Sequence, residues 1–489
     1  MILFKSNNDP AIISHEKVST YLETLSYSKF ISQEFLSGLK NERIITSDNS
    51  PYDFIISLLS IWSSGNIPVV INPNFTKEQQ TDLIKELDIK INFSELTKSI
   101  RTKSAAITNS GDFDLKIHSS KNSALILFTS GSTSKPKAVE LTFANLINNS
   151  HCINSLVPIK SNEKFGLTLP FYHIGGFQII FRALFSGNAI VIPASFKSID
   201  IFNSVQSQLV NYISIVSKTL FDFLESDYQF HDGLKAIFLG GGFSNPTTVK
   251  KAIEKRMKIY KVYGSTETTS MITGFNCNKH IDKIDSAGTP LFDVKIKLDK
   301  EGHILLKSDS LMKGYINYPN SYREKGWFNT FDYGHLDSEG YLYIDSRRED
   351  MIVSGGENIN LIEVNNLITS HPSIVSAFSF GREDEKWGQI LCAAVILKSG
   401  TNLTGGEKIP NHLDEGVRLS GIKLTDEEKS RKQLNAKIPT EEEIKDYLKK
   451  QTVSYKIPKR IYFLDKFPVT ELGKIKREEL LKIIDSYEI

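Results

Sequence analysis

The stretch LFTSGSTSKPKAVELT, residues 127–142, decides how this chain is read. It continues the apolar run SALILF (123–128), which has the length and character of a buried strand. Beyond the run come Thr129, the hydroxyls of Ser130, Ser132, Thr133 and Ser134, and the ammonium groups of Lys135 and Lys137. Gly131 lets backbone N–H groups approach an anion, and Pro136 limits the loop's freedom. These are the materials of a phosphate-holding loop. It is not the Walker type, because no G-x-x-x-x-G-K-[ST] follows, and no G-x-G-x-x-G is present here. On this stretch alone a flexible Ser/Gly surface loop is an equal reading.

The segments AIVIP (189–193), LKAIFLGGG (234–242) and KIYKVYG (258–264) also read as buried strands. Helix-like stretches lie between them. In residues 142–153, Phe143, Leu146 and Ile147 would share one helical face. This alternation implies α/β layers with mainly parallel sheets, whose ligands gather at the carboxyl ends of the strands. After about residue 290 the texture changes to short antiparallel strands with tight turns, as in VKIKLDKEGHILLKSD and GYLYIDSRRED. Beyond 350 a compact α+β unit is expected, opened by a helix with Asn360 as N-cap and Glu363 at N3. The expected fold is a large N-terminal domain (1–346) of layered α/β sheets plus a small antiparallel barrel-like part. A smaller α+β domain (350–489) follows a hinge at 346–350. Residues 400–438 are polar and aperiodic, and read as a surface insertion.

Composition narrows the function. A net charge of +2 over 489 residues gives no nucleic-acid footprint. Three scattered cysteines, Cys152, Cys277 and Cys392, form no metal or disulfide pattern and suit a reducing, cytoplasmic compartment. The N-terminus has no signal-peptide pattern, and the most apolar long stretch, 174–193, carries Arg182, Asn188 and three glycines, which excludes a spanning helix.

Three distant stretches favour phosphate chemistry over a plain surface loop. They are VYGSTETTS (262–270), FNTFDYGHLDSEGYLYIDSRREDMIVSGGENINLIEV (328–364) and ELGKIKREEL (471–480). Taken in order with the opening loop, they resemble the adenylate-forming superfamily of acyl-CoA synthetases, luciferases and peptide-synthetase adenylation domains. The resemblance runs from about residue 123 to 480.

The resemblance implies roles. Thr129, Ser130, Gly131, Ser132, Thr133 and Lys137 would hold the β- and γ-phosphates of ATP, although Ser134 and Ala138 stand where the superfamily usually has glycine. Tyr263 would stack near adenine, with Gly264 beside it. Thr266 would contact the α-phosphate and Glu267 would hold Mg²⁺, a hard ion suited to a carboxylate. Asp332 would accept both ribose hydroxyls, and Phe331 replaces the usual glycine before it. Arg347 would also reach the ribose, with Arg348 as the nearby alternative. Gly240, Gly241 and Gly242 would form the turn beside adenine and the acyl group. His173 would line the acyl pocket, its plainer reading being a satisfied core histidine. Glu349 falls at the pivot, and Gly355 and Gly356 would border a tunnel for CoA. Lys474 would be the catalytic cation carried on a mobile C-terminal domain. Lys476 competes for that role, and the Gly-Lys spacing favours Lys474.

The implied reaction joins a carboxylic acid to CoA through an acyl-adenylate. Residues 286–298, 381–389 and 455–477 resemble most the o-succinylbenzoate-activating branch, which serves menaquinone biosynthesis. That acid carries two carboxylates and an aromatic ring. Arg182, nine residues after His173, is a candidate partner for the second carboxylate, and helix packing is an equal reading. Another aryl or short acyl acid, loading of a carrier protein, or a silent binding protein are the alternatives. A homodimer is compatible with the sequence, which does not specify assembly.

Overall fold

The computed structural model describes residues 2–73, 75, 77–93, 114–129, 136–242, 244–316, 323–347, 350–354, 357–384, 388–398, 439–470 and 475–486. The chain forms two compact units, residues 1–330 with 335–343, and residues 331–334 with 344–489.

The first unit holds two large sheets. In the nine-stranded sheet, Ile259–Ser265, Ala236–Leu239, Tyr212–Ile215, Lys164–Gly166, Ala189–Val191 and Pro10–Ile13 lie side by side and parallel. Antiparallel strands border this core, with Ser270–Asn276 and Thr289–Pro290 on one side and Val18–Thr20 on the other. The six-stranded sheet runs Gly314–Tyr315, Ala138–Thr142, Ser123–Phe128, Ile67–Val70, Arg43–Thr46, Ile91–Asn92. Its last four strands are parallel, and its first three pair antiparallel. The expected parallel layers are therefore present, with antiparallel margins that strand-like composition alone does not reveal.

Two helices are buried on nearly every face, Pro51–Ser63 mostly apolar and Ile174–Phe185 apolar apart from Gln178 and Arg182. In Pro51–Ser63 every residue from Phe54 to Trp62 is buried, and in Ile174–Phe185 every residue from Gly176 to Leu184. They meet around Trp62, whose ring lies 6.2 Å from Phe177, 6.1 Å from Phe181 and 5.4 Å from Phe143. The indole N–H donates to the Ala124 carbonyl at 2.7 Å, which fixes Pro51–Ser63 to the strand leading into the opening loop. Phe177 and Phe181 are fully buried, each contributing roughly 1.5–3 kcal/mol of hydrophobic stabilisation. Helices Ser198–Gln208, Ser217–Glu225 and Pro246–Glu254 pack Val205, Phe223 and Val249 against Ile213, Ile237 and Ile259 of the nine-stranded sheet.

A five-stranded sheet follows, built from Lys295–Leu298, His303–Lys307, Trp327–Leu336, Arg323–Glu324 and Leu342–Arg347. This is the small antiparallel part expected after residue 290; its tight hairpins pair Lys295 with Lys307 and Glu324 with Trp327.

The second unit is α+β. Strands Glu357–Asn360, Met351–Ser354, Gly388–Leu397, Ile374–Asp384 and Arg460–Phe463 form its sheet. Helices Leu361–Thr369 and Glu441–Lys449 cover one face through Val364, Ile368, Ile444 and Leu448. Asn360 caps the first helix by accepting from the Ile362 and Glu363 N–H groups, as its spacing implies. Residues 400–438, read from sequence as a surface insertion, lie outside the described residues. Among the described residues no helix is long and apolar enough to cross a membrane.

Candidate active site

Neighbouring parallel strands deliver several candidate residues to one carboxyl edge. Ala236–Leu239 runs out into Gly240–Gly242, and Ile259–Ser265 runs out into Thr266 and Glu267. The chain leaving Lys164–Gly166 reaches His173, the N-cap of the helix Ile174–Phe185. This is where an open α/β sheet binds ligands. Backbone geometry explains the glycines. A Cβ on Gly264 would overlap the Ser270 carbonyl oxygen, so no other residue fits where the hairpin closes. Gly241 sits at φ +84°, a left-handed conformation that suits glycine.

The turn that carries Thr266 and Glu267 is held on every side. Gly264 and Ser265 pair with Met271 and Ser270. Thr269 and Ser270 have φ of +58° and +99°, unusual for residues with a side chain. Their carbonyls and neighbours are tied down to hold that shape. Gln178 donates from Nε2 to the Thr269 carbonyl (3.2 Å), and Asn149 from Nδ2 to the Met271 carbonyl (2.8 Å). The Thr269 hydroxyl donates to the Ser310 carbonyl at 2.6 Å, and the Met312 N–H to the Glu267 carbonyl at 2.8 Å. Gln178 and Asn149 are wholly buried. Sequence reading missed both. The available signal was Gln178 standing one turn before Arg182 in an otherwise apolar helix.

Glu267 is half-buried. Its Oε1 accepts the Tyr315 hydroxyl at 2.6 Å, and no described residue bonds Oε2. A carboxylate with one oxygen steadied and the other available fits Mg²⁺, which takes one or two carboxylates together with phosphate oxygens. Lys137 lies with its Nζ 5.3 Å from the Tyr315 ring centroid. The opening loop is closed at its base, where the Thr129 N–H donates to the Lys137 carbonyl at 3.0 Å and Phe128 pairs with Ala138. Ser130, Gly131, Ser132 and Thr133 lie outside the described residues.

His173 does not cap its helix through its ring, which stands 4.9 Å from that of Tyr172. Gly176, three residues on, is required, because a Cβ there would overlap the Pro170 carbonyl oxygen. Arg182 on the same helix is only 1% exposed. Its Nε and Nη2 are buried without a hydrogen-bond partner, and no carboxylate pairs with it among the described residues. Burial pushes its pKa down to about 10.

In the second unit Asp332 is buried on the strand Trp327–Leu336. Phe331 before it has φ +61°, so it adopts the left-handed conformation natural to the glycine it replaces. That conformation costs a non-glycine residue roughly 1–2 kcal/mol. Arg347 ends the strand Leu342–Arg347. Glu349, Gly355, Gly356 and Lys474 lie outside the described residues, as does Arg348. On either side of residues 471–474, Val469 and Ile475 form an antiparallel bridge, and the Lys476 N–H donates to the Pro468 carbonyl at 2.8 Å. Lys476, the competitor of Lys474, pairs with Glu479 at 3.1 Å.

The model of the AMP-binding enzyme family matches residues 4–316, and that of the AMP-binding enzyme C-terminal domain matches residues 363–427. A 2-succinylbenzoate–CoA ligase of Bacillus cereus is 28% identical over 492 residues, covering 96% of this chain and 92% of the relative. The o-succinylbenzoate CoA synthetase of Bacillus subtilis, solved with its acyl-adenylate intermediate, superposes with a TM-score of 0.79 at 25% identity, covering 97% of this chain and 95% of that one. The same enzyme solved with ATP and a magnesium ion gives 0.79 and 25%, over 97% of both chains. A sheet edge with these glycines, a held Thr-Glu turn and a match across most of the chain make it a member of the AMP-binding enzyme family.

Proposed function

We propose that this protein is an AMP-forming acid–CoA ligase whose acid is 2-succinylbenzoate. The observation that carries the choice of acid is Arg182. A buried guanidinium without a counter-charge is unfavourable by several kcal/mol unless something pairs with it. A substrate with a second carboxylate supplies that partner, and a planar guanidinium takes a carboxylate in two parallel hydrogen bonds. The named activities of the B. cereus and B. subtilis relatives agree with this acid.

In the first half-reaction a carboxylate oxygen of the acid attacks the α-phosphorus of ATP and pyrophosphate leaves. The 129–137 loop grips the leaving pyrophosphate. Thr266 contacts the α-phosphate, Tyr263 lies beside adenine, and Asp332 and Arg347 hold the ribose. Magnesium, when bound through Glu267, neutralises phosphate charge. Lys474 stabilises the negative charge that builds at the α-phosphate. In the second half-reaction the CoA sulfur attacks the acyl carbon. AMP leaves with the bonding pair, and the thiol proton passes to solvent. Residues 1–346 bind ATP and acid. Residues 350–489 turn about Glu349 between the half-reactions, withdrawing Lys474 and presenting Gly355 and Gly356 along the thiol path. His173 walls the acyl pocket.

Pyrophosphate release over a panel of carboxylic acids, with and without free CoA, tests this. The expected result is release with 2-succinylbenzoate and a soluble thioester when CoA is added. Release without any soluble thioester would instead favour loading of a carrier protein.

A further inference from the structure

Residues 312–316 form a strap that touches both the Thr266–Glu267 turn and the strand leaving the opening loop. At one end the Met312 N–H bonds the Glu267 carbonyl at 2.8 Å. Next, the Lys313 N–H donates to the Glu140 carbonyl at 2.9 Å, and the Ile316 N–H to the Ala138 carbonyl at 2.9 Å. Gly314 and Tyr315 pair with Glu140 and Val139, the strand that leaves the opening loop. Tyr315 completes the connection through its side chain. Its ring carries the Lys137 ammonium at 5.3 Å, and its hydroxyl holds Glu267 Oε1 at 2.6 Å. One side chain thus touches a loop-base cation and the candidate metal ligand.

We propose that Tyr315 is a positioning residue that orients the Glu267 carboxylate toward Mg²⁺-nucleotide and ties it to the base of the 129–137 loop. This rests on Glu267 being the metal ligand. A carboxylate has about four lone-pair positions, and the phenol uses one on Oε1, which leaves Oε2 to face an ion. A hydrogen bond to a ligating group fixes its orientation, and losing it commonly lowers metal affinity about 10- to 100-fold. The strap's backbone bonds are independent of the phenol, so Tyr315→Phe removes the hydroxyl while keeping the ring under Lys137.

The test uses the full-length protein, the α,β-methylene analogue of ATP, whose α–β bridge cannot release pyrophosphate, and Mn²⁺ binding read by electron paramagnetic resonance. Tyr315→Phe should weaken Mn²⁺ binding to the protein–analogue complex by about ten-fold, the lower end for loss of such a bond. Affinity for metal-free analogue and the thermal midpoint should stay unchanged. Tyr315→Leu, which also removes the ring, should additionally weaken metal-free analogue binding. Glu267→Gln separates the two ideas. If it lowers Mn²⁺ affinity while Tyr315→Phe does not, the positioning role is wrong and the metal role stands. If neither variant changes Mn²⁺ affinity, both roles fall.

Discussion

Arg182 and Gln178 lie one turn apart on the same buried helix. Gln178 donates from Nε2 to the Thr269 carbonyl and leaves Oε1 without a partner, whereas Arg182 keeps two charged-group nitrogens without partners. If Arg182 is there for a ligand carboxylate, Arg182→Met should uncouple stability from activity. Removing an unpaired buried charge in favour of an apolar chain of similar length should hold or raise the thermal midpoint. Turnover of 2-succinylbenzoate should fall by roughly 30-fold or more, the scale of losing one member of a buried charged pair. Turnover of benzoate should barely change. An equal loss with both acids, together with a lower midpoint, would mark Arg182 as a packing residue. Spacing alone made this residue visible in the sequence, nine positions after His173. Its isolation from every described carboxylate depends on what the fold brings near. Phe331 shows the same limit. The sequence displays a bulky residue in a glycine's place, and only the backbone shows that it accepts the left-handed conformation.

At the scale of elements, the helix Ile174–Phe185 enters the fold through two adjacent glycines with unequal duties. A Cβ on Gly175 would meet only the Leu169 side chain, at 3.1 Å, whereas one on Gly176 would run into the Pro170 and Leu169 backbone. Gly176→Ala should therefore destabilise the protein by about 1–3 kcal/mol, or more if the helix cannot shift. Gly175→Ala should be nearly neutral in chemical denaturation. Similar losses from both would contradict this geometry at the helix entry. The sequence shows two glycines and no difference between them. Strands such as Ser123–Phe128 were legible because a continuous apolar run is its own signal. The return strand Ser270–Asn276 was not, because Ser270, Thr273, Gly274 and Asn276 dilute its apolar content. The strap at 312–316 was invisible for a related reason. Its strand, Gly314–Tyr315, is two residues long, and its meaning lies in partners far away in the chain, Glu140 and Glu267.

For the whole molecule, the division into two units places Glu267 in one and the segment bearing Lys474 in the other. The proposed role of Lys474 in adenylate formation alone gives the two half-reactions different requirements. Lys474→Ala should slow adenylate formation by about 100-fold or more, the scale of removing a group that stabilises transition-state charge. Thioester formation from supplied acyl-adenylate and CoA should be close to normal. Equal loss in both half-reactions would remove Lys474 from its assigned place. The order of motifs was legible at this scale because each is a short local signature.

The purified protein should be incubated with ATP, Mg²⁺, 2-succinylbenzoate and CoA, and the mixture resolved by mass spectrometry. The expected products are AMP, pyrophosphate and the CoA thioester of 2-succinylbenzoate in equal amounts, with the acyl-adenylate accumulating when CoA is withheld. Formation of ADP and phosphate, or of AMP with no acyl-adenylate and no thioester, would contradict the proposed function.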